Sequence, residues 1–297
     1  MFKVRRVLGL LALLIGGTVL SGCQATTKQS SKKLSVVTTT NFYGEMARAV
    51  GGKHVQVTSI INKPTVDPHD YEPTPQVAKQ VAGADLAIAN GLGYDGWMNK
   101  LVKSAGTTKL MRVGEDVLHR KAGVNEHLWY DVQTMPAAAK YLANQLGKID
   151  PDRRAVYQKN AATYIDSLKP INKQVNQLKR QVAKLDNRNV FVSEPVFDLA
   201  LKTIGLKVTN ANFENAVEKG SDPSPKVVHQ MQTALKRRQV TLFVNNRQVS
   251  SSTVTNMVKL AKQNDVAVLG VTETMPANVT YQEWMLKQYR QLSQLLK

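Results

Sequence analysis

The chain has 297 residues, with 40 basic against 22 acidic side chains, a formal net charge of +18 and a single cysteine. Its basic residues are scattered and aromatics make up only 6% of it, so no stretch interleaves cations with stacking rings as single-strand nucleic-acid binders do. Nucleic acid is therefore not expected as a partner, and one cysteine excludes an internal disulfide. The charge fits attraction to an anionic membrane or wall surface, or simply a solvated basic face.

Residues 1–22 read as an export leader rather than as folded protein. Lys3, Arg5 and Arg6 precede an uncharged apolar run over 7–20, which at about 14 residues is too short to cross a bilayer core of roughly 30 Å as a helix. Loss of those three bases leaves a charge of +15. Leu20-Ser21-Gly22-Cys23 resembles the bacterial lipobox, in which the cysteine after the cut becomes the lipidated N-terminus. Residues 23–33 are polar and small apart from Cys23 and predict a flexible tether.

From residue 34 the pattern alternates between two periods. Short apolar runs at 34–39, 55–61, 84–90 and 109–113 predict strands, and 42–50, 74–81 and 94–104 between them predict helices. Residues 136–146 predict an amphipathic helix that stops at Asp150-Pro151. The stretch 152–185, rich in Ala, Gln, Lys and Leu and free of Gly, would make a strut roughly 50 Å long at 1.5 Å per residue. Pro170 should kink or split it. After residue 188 the first grammar returns, with strands at 190–192, 207–209, 241–244 and 267–271 and helices at 196–204, 225–236, 252–262 and 279–296. The expected fold is α/β: two lobes, each a four-stranded mostly parallel sheet flanked by helices, at 34–149 and 187–297, joined by a long rigid linker helix at 150–186.

Four candidate ligands fall just past the carboxyl ends of predicted strands, the edge at which open α/β sheets bind ligands. They are His69 after the second strand, His127 after the fourth, Glu194 after the first strand of the second lobe and Glu273 after its last. Each lobe supplies two, so a cleft between the lobes would gather two imidazoles and two carboxylates. That is a plausible set for a first-row divalent metal. Asp198, Glu214 and Asp222 are alternatives for the fourth ligand. Asp131 could orient His127 or cap the following helix, and Asn245, Asn246 and Arg247 follow a strand on the same edge. His54, His119 and His229 have no such context and read as surface residues.

Several segments together resemble one family. Asp67-Pro68-His69-Asp70-Tyr71-Glu72-Pro73, then Ala84-Asp85-Leu86 with Asn90-Gly91-Leu92-Gly93, then His127-Leu128-Trp129-Tyr130-Asp131, and last Thr272-Glu273-Thr274-Met275-Pro276 occur in its order. The sequence is similar over this whole span to the zinc- and manganese-binding substrate receptors of ABC transporters. The resemblance implies that His69, His127, Glu194 and Glu273 hold zinc or manganese as transported cargo and that an ABC permease is the partner. It also implies that a lipid on Cys23 anchors a monomeric, non-enzymatic protein to the outer face of the cell membrane. The sequence departs from the family in combining Glu194 with Glu273 and in lacking a His-rich acidic loop, and 207–225 matches only in Asp222-Pro223-Ser224-Pro225. Carboxylate-rich shells lean towards harder ions such as manganese.

Two other functions stay in view. An exported metal-dependent hydrolase would need an open metal position and a nearby general base, and the chain has no His-Glu-x-x-His or Gly-x-Ser-x-Gly motif. A surface adhesin is the other, since some members of the resembling family were first described in that role.

Overall fold

The computed structural model describes residues 32–296 apart from 64, 65, 67, 69, 70 and 250. The leader, Cys23 and nearly all of the tether lie outside the described residues, and so does His69. The first lobe contains β1 (Leu34–Thr40), α1 (Asn41–Gly51), β2 (Val55–Ile61), α2 (Pro75–Ala82), β3 (Leu86–Ala89), α3 (Gly96–Ala105) and β4 (Lys109–Arg112). Next come α4 (Thr134–Ile149), α5 (Arg154–Ser167) and α6 (Lys169–Val182). The second lobe contains β5 (Asn189–Val192), α7 (Asp198–Ile204), β6 (Lys207–Val208), α8 (Ala211–Glu218), α9 (Pro225–Lys236), β7 (Leu242–Asn246), α10 (Ser252–Gln263), β8 (Ala267–Val271) and α11 (Tyr281–Leu295).

Both sheets are parallel and share one topology, β2-β1-β3-β4 and β6-β5-β7-β8. Burial explains the order. β3 is buried along its whole length and β1 over its last five residues, as central strands covered on both faces must be. The edge strands β2 and β4 are part-exposed and carry Gln56 and Lys109. In each lobe the chain leaves the first strand to one side and returns on the other. The gaps between β1 and β3 and between β5 and β7 are therefore switch points, and the crevice at their carboxyl ends is where such sheets bind ligands.

The strut differs from the single rod expected over 152–185. It is two helices meeting at Leu168, with Pro170 in the first turn of α6. Proline has no N–H for the helical ladder, and the first turn is where that loss costs least. The break is mild, since Leu168 itself keeps helical angles (φ −84°, ψ −8°). Tyr157, Ala161, Tyr164, Leu168, Ile171, Val175, Leu178 and Val182 are all buried and step by fours and threes straight through it, so one apolar stripe serves both helices. α5 packs on α1 and α4, and α6 packs on α7 and α11. Each half of the strut is thus rooted in one lobe.

A continuous core then ties the lobes together. Phe42 stacks against Trp284 of α11 (centroids 5.9 Å apart), and Tyr130 meets Phe197 at 4.8 Å and Trp284 at 5.7 Å. Asn41 Nδ2 donates to the Met275 carbonyl (2.6 Å), the Tyr130 hydroxyl to Gln288 Oε1 (3.0 Å), and the Tyr281 hydroxyl to the Trp129 carbonyl. Aromatic pairs of this kind add roughly 0.5–1.5 kcal/mol each beyond the area they bury. Hinge motion between the lobes would have to break several of them at once.

Candidate metal centre

His127 is fully buried at the start of a one-turn 3-10 helix, Leu128–Tyr130. Its ring stands edge-on to Trp129 (5.3 Å) and Tyr94 (6.2 Å). Asn125 Oδ1 accepts the His127 backbone N–H (2.9 Å) and lies 3.2 Å from Nδ1. A proton on Nδ1 completes that bond and leaves the Nε2 lone pair for a ligand, the usual way an outer partner sets a metal-binding imidazole. Nε2 faces Glu273 Oε1 at 3.9 Å and Glu218 Oε1 at 3.6 Å. The structure therefore brings His127 of the first lobe against Glu273 of the second.

Glu273 is also buried, just past β8. Its backbone N–H donates to Gln248 Oε1 (2.6 Å), which also takes the N–H of Thr274 (3.1 Å). The Tyr94 hydroxyl hydrogen-bonds Glu273, and burial, then that carboxylate, push the phenol well above its ordinary range. Tyr94 remains a neutral donor. Glu194 follows β5, half-buried, and its Oε2 accepts from Asn246 Nδ2 (2.8 Å), while the Asn246 N–H donates to Ser193 Oγ (2.8 Å). Asn246, the last residue of β7, and Gln248 just beyond it thus hold the segments that present Glu194 and Glu273.

The loop after β3 steadies the first-lobe side. Asp95 is buried and accepts the N–H groups of Asn90 (2.6 Å) and Gly91 (2.9 Å). Burial, partly offset by those bonds, raises its carboxyl to about 6. Asn90 in turn accepts from the Tyr43 hydroxyl (2.7 Å) and donates to the Glu126 carbonyl (2.9 Å), next to His127. Gly91 has φ +82°, and a Cβ there would come within 1.9 Å of Glu115 Oε2. Only glycine fits that turn.

Other expected residues fall elsewhere. Asp131 accepts from Arg120 Nη2 (3.0 Å) and from the Gln133 N–H (3.0 Å) at the start of α4, so the place beside His127 belongs to Asn125. Arg247 lies over Gly270 of β8. Asp222 is exposed. Asp198 and Glu214 line a cavity of about 550 Å³ with Glu126 and Glu218. Burial and then the neighbouring Glu218 raise Asp198 to about 7, and burial and then Asp198 raise Glu214 to about 8. His54 packs edge-on to Tyr157, and His119 and His229 are exposed.

Glu218 was not among the expected site residues. It ends α8, a helix absent from the pattern read above, although Glu214 and Glu218 lie one turn apart beside the buried Phe213 and Val217. Two carboxylates flanking an apolar stripe are the signal that marks it. Among the described residues no group of three or more His, Cys, Asp or Glu closes into a metal cage. The described part of the site is two pairs that share His127.

The family model of the zinc-uptake complex component A, periplasmic, matches residues 36–295. The chain belongs to this family. It is a solute-binding component of metal uptake and not an enzyme, which removes the hydrolase reading. It is 28% identical over 261 residues to the metal ABC transporter substrate-binding lipoprotein FimA of Streptococcus parasanguinis, covering 83% of this chain and 82% of that one. With the manganese ABC transporter substrate-binding lipoprotein PsaA of Streptococcus pneumoniae it shares 29% identity over 220 residues, 69% of this chain and 70% of the other. A mutant structure of the laminin-binding adhesin Lmb of Streptococcus agalactiae superposes with a TM-score of 0.72 at 21% identity, covering 89% of this chain and all of that one. That likeness shows the shared two-lobed fold.

Proposed function

We propose that this protein captures a divalent transition-metal ion between its lobes and hands it to the permease of an ABC importer. His69, His127, Glu194 and Glu273 are the ligands, and Asn125 and Asn246 orient two of them. The lobes are residues 34–149 and 187–297 with the strut between. The chain works as a monomer held to the outer face of the cell membrane by lipid on Cys23. The observation that carries the reading is the approach of two buried side chains from different lobes, His127 Nε2 and Glu273 Oε1, to 3.9 Å. A neutral imidazole and a carboxylate at that spacing suit zinc or manganese.

The carboxylates on the second-lobe side tip the choice toward manganese, a harder ion than zinc, and the similarity to a lipoprotein named for manganese transport agrees. Elemental analysis of the purified chain, with zinc and manganese competed against each other, tests this. One bound ion per chain is expected. No bound metal under either condition would refute the reading.

A further inference from the structure

Glu218 Oε1 stands closer to His127 Nε2 than Glu273 does, at 3.6 Å against 3.9 Å. Ligand atoms at 2.0–2.2 Å from a four-coordinate ion lie about 3.4 Å from one another, so both carboxylates sit near the spacing of groups that share an ion with the imidazole. Glu218 is also firmly placed. Phe213 and Val217 anchor α8 in the second lobe's core, and Asn210, just before the helix, exchanges hydrogen bonds with both the N–H (3.0 Å) and the carbonyl (2.7 Å) of Val192 in β5.

The surroundings call for a cation. The cavity that Glu218 lines also holds Glu126, Asp198 and Glu214, against Lys219 as the one positively charged lining residue among those described. Glu214 is 5% exposed, and its Oε2 has no hydrogen-bond partner among the described residues. A buried carboxylate without donors is costly and keeps its proton, unless a cation takes the proton's place. A chain with 40 basic residues that leaves this corner acidic has left room for an ion to complete it.

We propose that Glu218 is an additional ligand to the transported ion, delivered by α8, and that it biases the site toward manganese over zinc. This rests on the reading of the cleft as the cargo site. A third carboxylate favours an ion that accepts many hard oxygen ligands, whereas zinc is satisfied by four donors and binds nitrogen and sulfur as readily.

The test compares Glu218→Gln and Glu218→Asp with the unaltered full chain and with His127→Ala, measuring manganese and zinc affinities by competition with a chelating dye. Gln removes the charge at nearly constant shape, and Asp keeps the charge but withdraws it by one methylene. Both variants should bind manganese at least tenfold more weakly and zinc less than threefold more weakly. If Glu218→Asp matches the unaltered chain, Glu218 supplies only a field and ligation is refuted. Equal losses for the two metals refute the bias. His127→Ala distinguishes the two levels. If it binds as the unaltered chain does, the site reading itself fails; if it loses both metals while the Glu218 variants keep both, only Glu218 is wrong.

Discussion

The two lobes share one sheet topology but bring opposite chemistry to the cleft. On the first-lobe side His127 stands among Tyr94 and Trp129 and is set by neutral amides, Asn125 beside it and Asn90 behind. The second-lobe side is crowded with carboxylates, with Glu194 and Glu273 held by Asn246 and Gln248 and with Asp198, Glu214 and Glu218 close by. A neutral ring tolerates an aromatic wall, whereas a buried carboxylate needs donors or a cation. Each lobe thus folds around its own half of the proposed site, and an ion bound there would supply the charge that joins them.

Removing the imidazole should have the largest effect on metal binding. A ligand that binds only the native state stabilises it by about 4 kcal/mol at a thousandfold excess over Kd. His127→Ala should lose nearly all of the metal-induced rise in melting temperature, as read by calorimetry with and without manganese.

The acidic side should show itself in the pH dependence of the apo protein. Asp198 and Glu214 are raised in the fold to about 7 and about 8, so the native state holds their protons where the unfolded chain has released them. With more protons bound to the native than to the unfolded state, stability falls as pH rises from about 4 to about 8 and then levels. Either Asp198→Asn or Glu214→Gln should flatten part of that fall, by on the order of 2–4 kcal/mol for a buried group shifted this far. A chain equally stable at pH 5 and pH 8 would show that the carboxylates are not held as described.

The smallest effect belongs to the residue that positions the imidazole. Asn125→Ala removes the acceptor beside Nδ1 and the bond from Asn125 Nδ2 to the Pro195 carbonyl (2.7 Å). Metal affinity should drop about tenfold, the low end for loss of an outer-shell partner, with the melting temperature of the apo protein almost unchanged. An unaltered affinity would return the orienting role to some other group.

Much of the architecture was legible in the sequence because its punctuation is local. The predicted bounds of β2, α9 and β8 agree with the structure. α9 begins where Ser224 caps and Pro225 opens the first turn, and Thr280 with Glu283 forms the capping box of α11. The site was legible only in part. The strand-end rule pointed to His127, Glu194 and Glu273; the fold sets Glu194 and Glu273 just past β5 and β8 and brings His127 against Glu273. It could not find Glu218, which reaches the cleft from the end of a helix, nor prefer Asn125 to Asp131. Those placements depend on how α8 and the loop before His127 pack, and no periodicity records that. The break at Leu168 is the intermediate case, since Pro170 announces it while the unbroken apolar stripe limits it to a small one.

The most direct test of the shared site is a double-mutant cycle on metal affinity with His127→Ala, Glu273→Ala and both together. If the two side chains from opposite lobes hold one ion, the double variant should lose little more than the worse single variant, with a coupling above about 1 kcal/mol. Losses that simply add would mean that the two residues serve separate sites and that the ion does not join the lobes.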